Sequence, residues 1–492
     1  MSTLPAATPP NPADTSSKER GFFGHPRMLS NLFMVEMWER FSYYGMQSIM
    51  LYYLYYSATE GGLGLNETAA AGVMGAYGGM VYLLAILGGF LGDRVLGPER
   101  TLFYAAIGIM AGHVALAIIP GVPGVVVGLV LVAIGSGCLK TNASVLVGSL
   151  YSREDPKRDG GFTIFYMGVN LGALIGPLLT GLGWASYGFH FGFGLAALGM
   201  ALGLAQYSLT RKNLPASVHH VSEPLSATEK RNSALAALAI IAVVALLVAT
   251  KMINPDNIAT WVMALVGILG AGIFFMLFTS KKTTEVEHSR ILSFLPMMLG
   301  NIVFFALFQQ QFSVLAIYSE SRVNWNIFGV ELPVSWFNSI NPIFILLFGA
   351  VFTAMWTKMG DRQPTTPKKF AIGLILIGTA FLIFLLLAGN THVNVMWLVL
   401  ILFFCTLGEL SISPVGTSLA SKLAPEAYRV MMMALYFCSV SMGTVLAGWL
   451  AQFYSLENEV PYFTAMGLIS IATGIVIFAL NKWIVKKMAG IR

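Results

Sequence analysis

Long apolar runs separated by short polar stretches dominate the chain. They fall at residues 30–57, 69–92, 101–119, 122–150, 161–183, 187–210, 233–250, 257–279, 293–318, 334–357, 369–388, 395–422, 429–454 and 461–485. Most exceed the roughly 18 residues that mark a membrane-spanning helix. They lack the strict alternation of a barrel strand, so fourteen spanning helices are predicted. The runs at 233–250 and 257–279 contain no ionisable residue, and polar linkers at 211–232 and 280–290 flank them. This reads as a helical hairpin inserted between two six-helix halves. The predicted organisation is a disordered cytoplasmic tail over 1–27 and an N-terminal six-helix bundle over 28–212. Linkers and the hairpin follow over 213–290, then a C-terminal six-helix bundle over 291–487 and a short cytoplasmic tail over 488–492.

Composition agrees with an all-α, polytopic membrane protein. Hydrophobic residues make up 56% of the 492 and charged residues 11%, against about 25% charge in soluble domains. Mean hydropathy is +0.72. The isoelectric point near 9.1 suggests nucleic acid only until the charges are placed. Of the 29 Lys and Arg residues, all but four fall in the tails and alternate loops. Lys251 and Arg322 lie on the other side, and Arg40 and Lys140 lie inside apolar runs. That asymmetry follows the positive-inside rule, puts both termini in the cytoplasm and argues against a nucleic-acid partner. Residues 1–20 are rich in Pro, Ala, Ser and Thr and lack an apolar signal core, so no cleavable leader is read there. Cys138, Cys405 and Cys438 fit neither a metal site nor a disulfide framework. The abundant Met and Phe read as lipid-facing packing, and no cofactor is implied.

Charge at membrane depth carries the chemistry. Among 23 acidic residues, Glu36, Glu39 and Glu409 fall inside predicted spans, beside Arg40 and Lys140. Each costs roughly 2.5–3.5 kcal/mol near a helix centre, so each needs a partner, water or a function. Positions 36, 39/40, 43/44 and 47 recur at helical spacing and share one broad face. Glu36 stands four residues before Arg40, a good pairing distance. Pairing and desolvation act oppositely on a carboxyl's proton affinity, and their balance can bring it within range of physiological proton binding. A substrate carboxylate competing for Arg40 then links proton and substrate.

Two further patterns complete the picture. Gly92-Asp93-Arg94 and Gly360-Asp361-Arg362 each follow the second span of a half. Repeated halves are a common plan of secondary transporters, with substrate bound between them, and the arrangement resembles the major facilitator superfamily. Glu36-x-x-Glu39-Arg40-Phe41 with Tyr43-Tyr44-Gly45 resembles the first-helix signature of the proton-dependent oligopeptide transporter family. Phe162-Thr163-Ile164-Phe165-Tyr166-Met167-Gly168-Val169-Asn170-Leu171-Gly172-Ala173 resembles its fifth-helix motif.

The resemblance implies a proton-coupled symporter that imports di- and tripeptides, as a monomer in the bacterial inner membrane. It implies proton coupling through Glu36, Glu39, Arg40 and Lys140. It implies substrate contacts from Arg40, Tyr44, Tyr82, Lys140, Tyr166, Asn170, Gln310, Asn338, Glu409 and Ser413, with Asn341 beside Asn338. Peptides share only their two ends and the amide, so opposite charges in opposite halves suit a carrier of many peptides. Pro414 removes a backbone donor one turn after Glu409 and marks a candidate hinge. Three features depart from the family pattern. Thr141 stands where most members have Pro. Gln47 and Gln309-Gln310-Gln311 stand where members carry opposite gate charges, which leaves Lys140 without its usual acidic partner. The alternatives are another solute on the same fold, such as nitrate or an amino-acid derivative, a channel, or a non-transporting sensor. An enzyme is disfavoured: HExxH, GxSxG and paired intramembrane aspartates are absent from the sequence.

Overall fold

The computed structural model describes residues 21–491 except 153, 154, 156, 222, 223 and 328. The expected tail therefore lies outside the described residues up to position 20. Residues 21–27 form a turn held by Lys157 Nζ donating to Gly24 O at 3.2 Å and by His25 Nδ1 3.0 Å from Tyr151 Oη.

The helices are α1 Met28–Tyr55, α2 Glu67–Leu91, α3 Pro98–Ile118, α4 Gly121–Ser149, α5 Arg158–Tyr187, α6 Phe189–Thr210, α7 Ala227–Ala249 and α8 Ile258–Thr279. They continue with α9 Glu285–Phe308, α10 Val314–Arg322, α11 Ile340–Met359, α12 Thr366–Ile383, α13 Val395–Leu423, α14 Arg429–Trp449, α15 Glu459–Ala479 and α16 Asn481–Lys487. Among the described residues, thirteen spans are long and apolar enough to cross a membrane, with α9 and α10 counted together. The fourteenth is α1, whose length matches but whose Glu36, Glu39 and Arg40 lower its hydropathy. An even number of spans puts both ends of the chain on one face, here the terminal face.

Polar caps explain why two helices start before their apolar runs. Ser226 and Glu229 form a reciprocal capping box at α7, and Thr284 and Glu287 do the same at α9. One predicted span is interrupted. The run 293–318 breaks into α9, a 3-10 turn over Gln309–Phe312 and α10. By contrast α13 runs unbroken through Pro414.

Small residues let the helices approach. On α5, Gly168, Gly172 and Gly176 recur every four residues and face α1. A Cβ at Gly172 would sit 2.2 Å from Met37 O and 2.9 Å from Arg40 Cβ. The fifth-helix motif is thus a packing surface for the charged stretch of α1. Between the halves, a Cβ at Gly75 of α2 would meet Gly448 Cα of α14 at 2.7 Å. The inserted hairpin rests on this seam. Its α8 packs against α2 and α14, while α7 buries no residue.

The bonds that join the halves cluster from mid-membrane to the face opposite the termini. Ser441 Oγ donates to Gly79 O at 2.7 Å, Ser339 Oγ to Leu174 O at 2.8 Å and Trp336 Nε1 to Leu178 O at 3.1 Å. Tyr52 Oη donates to Ala316 O at 3.4 Å, and Tyr55 and Tyr56 both donate to Glu320. A parallel pair Val323–Asn324 with Val393–Asn394 and a small hairpin Asn326–Ile327/Val330–Glu331 lie on the same face. The protein is closed there.

Candidate functional site

The α1 face forms as its spacing predicts. Glu36, Glu39 and Arg40 are all buried. Arg40 Nε lies 3.0 Å from Glu36 Oε1 and 2.7 Å from Glu39 Oε2. One guanidinium therefore serves two carboxyls. With both ionised the trio carries one net negative charge, and a single proton neutralises it. The other oxygen of Glu39 accepts from Ser136 Oγ of α4 at 2.7 Å. Arg40 also lies over the Tyr43 ring at 5.4 Å, and Tyr43 stacks on Tyr77 of α2. Glu36 Oε2, Glu39 Oε2 and Arg40 Nη2 remain buried without hydrogen-bond partners, so Arg40 meets Glu39 as an ion pair.

Lys140 lies one helical turn beyond Ser136. Its Nζ sits 4.3 Å from the Tyr82 ring centroid, and among the described residues it forms no salt bridge. That agrees with the neutral glutamines expected to leave it unpaired. From the other half, Glu409 of α13 accepts from Asn341 Nδ2 at 3.1 Å, and Asn341 also donates to Thr406 Oγ1 at 2.9 Å. Tyr44 lies within electrostatic reach of both Arg40 and Glu409, and Tyr82 does too. Tyr166 is 47% exposed yet lies within reach of Glu409 and Tyr44.

The remaining expected contacts are distributed less evenly. Asn170 is buried and donates to its own helix at Tyr166 O, 2.9 Å. Asn338 donates to Ser335 O at 3.4 Å, and its Oδ1 is buried without a partner. Ser413 Oγ is likewise unpartnered. Gln310 turns into the C-terminal half, where Tyr462 Oη donates to its Oε1 at 3.0 Å. It is Gln309 that shares a narrow gap with Gln47, together with Met74, Gly75, Phe312 and Thr444.

Several residues escaped the sequence reading. Ser136 sits in a Gly-Ser-Gly stretch with no local signal. The apolar run stops at 318 and leaves Glu320 outside it, whereas α10 continues to Arg322. The clustered tyrosines 52, 53, 55 and 56 were the available hint of a polar closure there.

A family model described as POT family matches residues 99–469. The chain belongs to the POT family. The matched region begins after α1, so the charge cluster lies outside it and the α5 motif inside it. The chain is 42% identical to the uncharacterized transporter YclF of Bacillus subtilis, over 97% of this chain and 98% of that protein. It is 40% identical to a di-/tripeptide transporter of Lactococcus lactis subsp. cremoris, over 96% and 99%. A crystal structure of a substituted form of peptide transporter POT in complex with alafosfalin superposes with a TM-score of 0.91. It is 43% identical, with 97% of this chain and 98% of that one covered. This POT-family chain is thus a multi-pass membrane transporter of major facilitator type, with two six-helix bundles and an inserted hairpin.

Proposed function

We propose that this POT-family protein is a proton-coupled symporter that imports di- and tripeptides by alternating access. One observation carries the reading: Tyr44 and Tyr82 lie near both the cations of one half, Arg40 and Lys140, and the Glu409 carboxyl held by Asn341 in the other. A zwitterionic peptide satisfies both charge sets at once and draws the halves together. Its carboxylate goes to Arg40 and Lys140, its amine to Glu409. Tyr82, Tyr166, Asn170, Asn338 and Ser413 offer hydrogen bonds that make no demand on the peptide's side chains. The relatives named as di-/tripeptide transporters support the same substrate class.

Glu36 and Glu39 are the proton acceptors in this reading. The trio changes from net negative to neutral on taking one proton, so the empty carrier and the loaded carrier differ in electrostatic cost within the bilayer. The terminal face is the cytoplasmic one and the membrane is the bacterial inner membrane, as the distribution of Lys and Arg supports. The bundles span residues 28–212 and 291–487, the carrier works as a monomer, and it carries out no covalent chemistry. With its opposite face closed, the structure then corresponds to the inward-facing state. The test is dialanine uptake into proteoliposomes with and without an inward proton gradient. Accumulation should require the gradient. Equal uptake after its collapse refutes the coupling, and lack of dialanine uptake in either condition refutes the substrate class.

A further inference from the structure

We propose that Ser136 is a positioning residue for proton coupling: its hydroxyl holds Glu39 and ties that carboxyl to α4, the helix that also carries Lys140. This rests on reading the α1 trio as the proton site. Ser136 and Glu39 are both fully buried. A serine within a helix commonly bonds back to its own backbone, as Ser48 does to Gly45 O and Ser411 to Leu407 O. Ser136 instead leaves its helix and donates to Glu39 Oε1 at 2.7 Å.

The two glutamates differ because of it. Among the described residues Glu36 has its one hydrogen bond from Arg40 of its own helix, and each glutamate keeps one buried oxygen without a hydrogen-bond partner. Glu39 is held from two helices, by Arg40 of α1 and by Ser136 of α4. The charged and titratable groups around Glu39 are Glu36, Arg40 and Tyr44 on α1, Tyr77 on α2 and Lys140 on α4. From α5 and α6, Gly172 and Met200 face this stretch of α1. Ser136 and Lys140 are four residues apart and share one face of α4. A substrate carboxylate that draws Lys140 moves Ser136 with it. Withdrawal of the hydroxyl removes a donor that favours an ionised carboxyl, so occupancy at Lys140 is conveyed to Glu39 through one rigid helical turn.

The experiment compares Ser136→Thr with Ser136→Val, which match in size and differ in the hydroxyl, alongside Ser136→Ala. The full chain is reconstituted, and the protonated-carboxyl infrared band that disappears in Glu39→Gln is titrated with pH. The Val and Ala forms should titrate about one pH unit more alkaline than native, the size expected for one hydrogen bond to a charged group. The Thr form should match native. Gradient-driven dialanine uptake should shift by the same amount while counterflow at its optimum is retained. In a Glu39→Gln background, which retains counterflow, Ser136→Val should leave the pH profile of dialanine counterflow unchanged. Coincident Thr and Val titrations overturn the proposal, as does a counterflow shift caused by Ser136→Val that persists without Glu39. Failure of the native chain to take up dialanine refutes the transport reading alone, because the infrared comparison needs no transport.

Discussion

Gln47 of α1 and Gln309 of the turn between α9 and α10 border one narrow gap on the closed face of the protein. They come from opposite halves, and neither can carry charge. Closure there is built on shape and neutral polarity, with the Gly75–Gly448 approach beside it. A charge introduced on one side alone is therefore uncompensated. Gln47→Arg should destabilise the protein by about 3–5 kcal/mol, the cost of a buried unpaired charge, and adding Gln309→Glu should recover most of it. Thermal unfolding in detergent of the two single variants and the pair measures this. A pair no more stable than either single would show that the residues do not face each other.

Glu320 closes the same face by a different route. Tyr55 and Tyr56 both donate to its carboxylate across the two halves. Hydrogen bonds to a charged group contribute about 1.5–3 kcal/mol each, so Glu320→Ala should lower the ratio of closed to open molecules by about tenfold or more. Spin labels at Thr59 and Thr391, in loops of opposite halves on this face, report the separation. An unchanged distance distribution would assign the closure to the glycine seam alone.

Glu409 should distinguish peptides by their amino end. Its contact with an ammonium is charge-assisted, whereas a glutamine offers only neutral hydrogen bonds. Glu409→Gln should weaken binding of free-amine peptides by about tenfold or more. Acetylating the amino end should weaken native binding more than binding to the variant. Equal losses in a competition assay would remove Glu409 from the amine site.

The α1 trio should separate net transport from exchange. A Glu→Gln change keeps size and hydrogen bonding but removes titration. Glu36→Gln and Glu39→Gln should therefore retain peptide counterflow and lose proton-driven accumulation. Arg40→Ala should damage both, because it removes the proposed carboxylate contact and leaves two buried glutamates unpaired. Counterflow and accumulation measured on one liposome preparation decide between these outcomes. Normal accumulation in both Gln variants would move the proton site elsewhere.

The α5 glycines should be intolerant of even one added carbon. Gly172→Ala places a Cβ about where Met37 O already stands, 2.2 Å away by ideal geometry. Overpacking of this kind costs about 1–3 kcal/mol, and it also displaces the Arg40 stretch of α1. The melting temperature should fall and counterflow should decline with it. A variant of native stability and activity would mean that α1 and α5 have room to separate.

Much of this protein was legible in its sequence because a bilayer leaves the backbone few choices. A chain that cannot hydrogen-bond to lipid must satisfy itself within each span, so apolar run length alone located the helices. Periodicity then placed Glu36, Glu39 and Arg40 on one face, and contacts within one turn follow from helix geometry, as the 3.0 Å Arg40–Glu36 pair illustrates. Relations between helices are of another kind. Ser136 meets Glu39 across 97 positions, Gln309 rather than Gln310 turns to Gln47, and Glu320 is reached by tyrosines more than 260 positions away. Each depends on how two helices are rotated and how closely their small residues let them approach. Those rotations are set by packing summed over many weak contacts, which no local pattern encodes. The helices and the α1 trio are properties of the sequence, and only the tertiary structure decides which helix each buried group answers to.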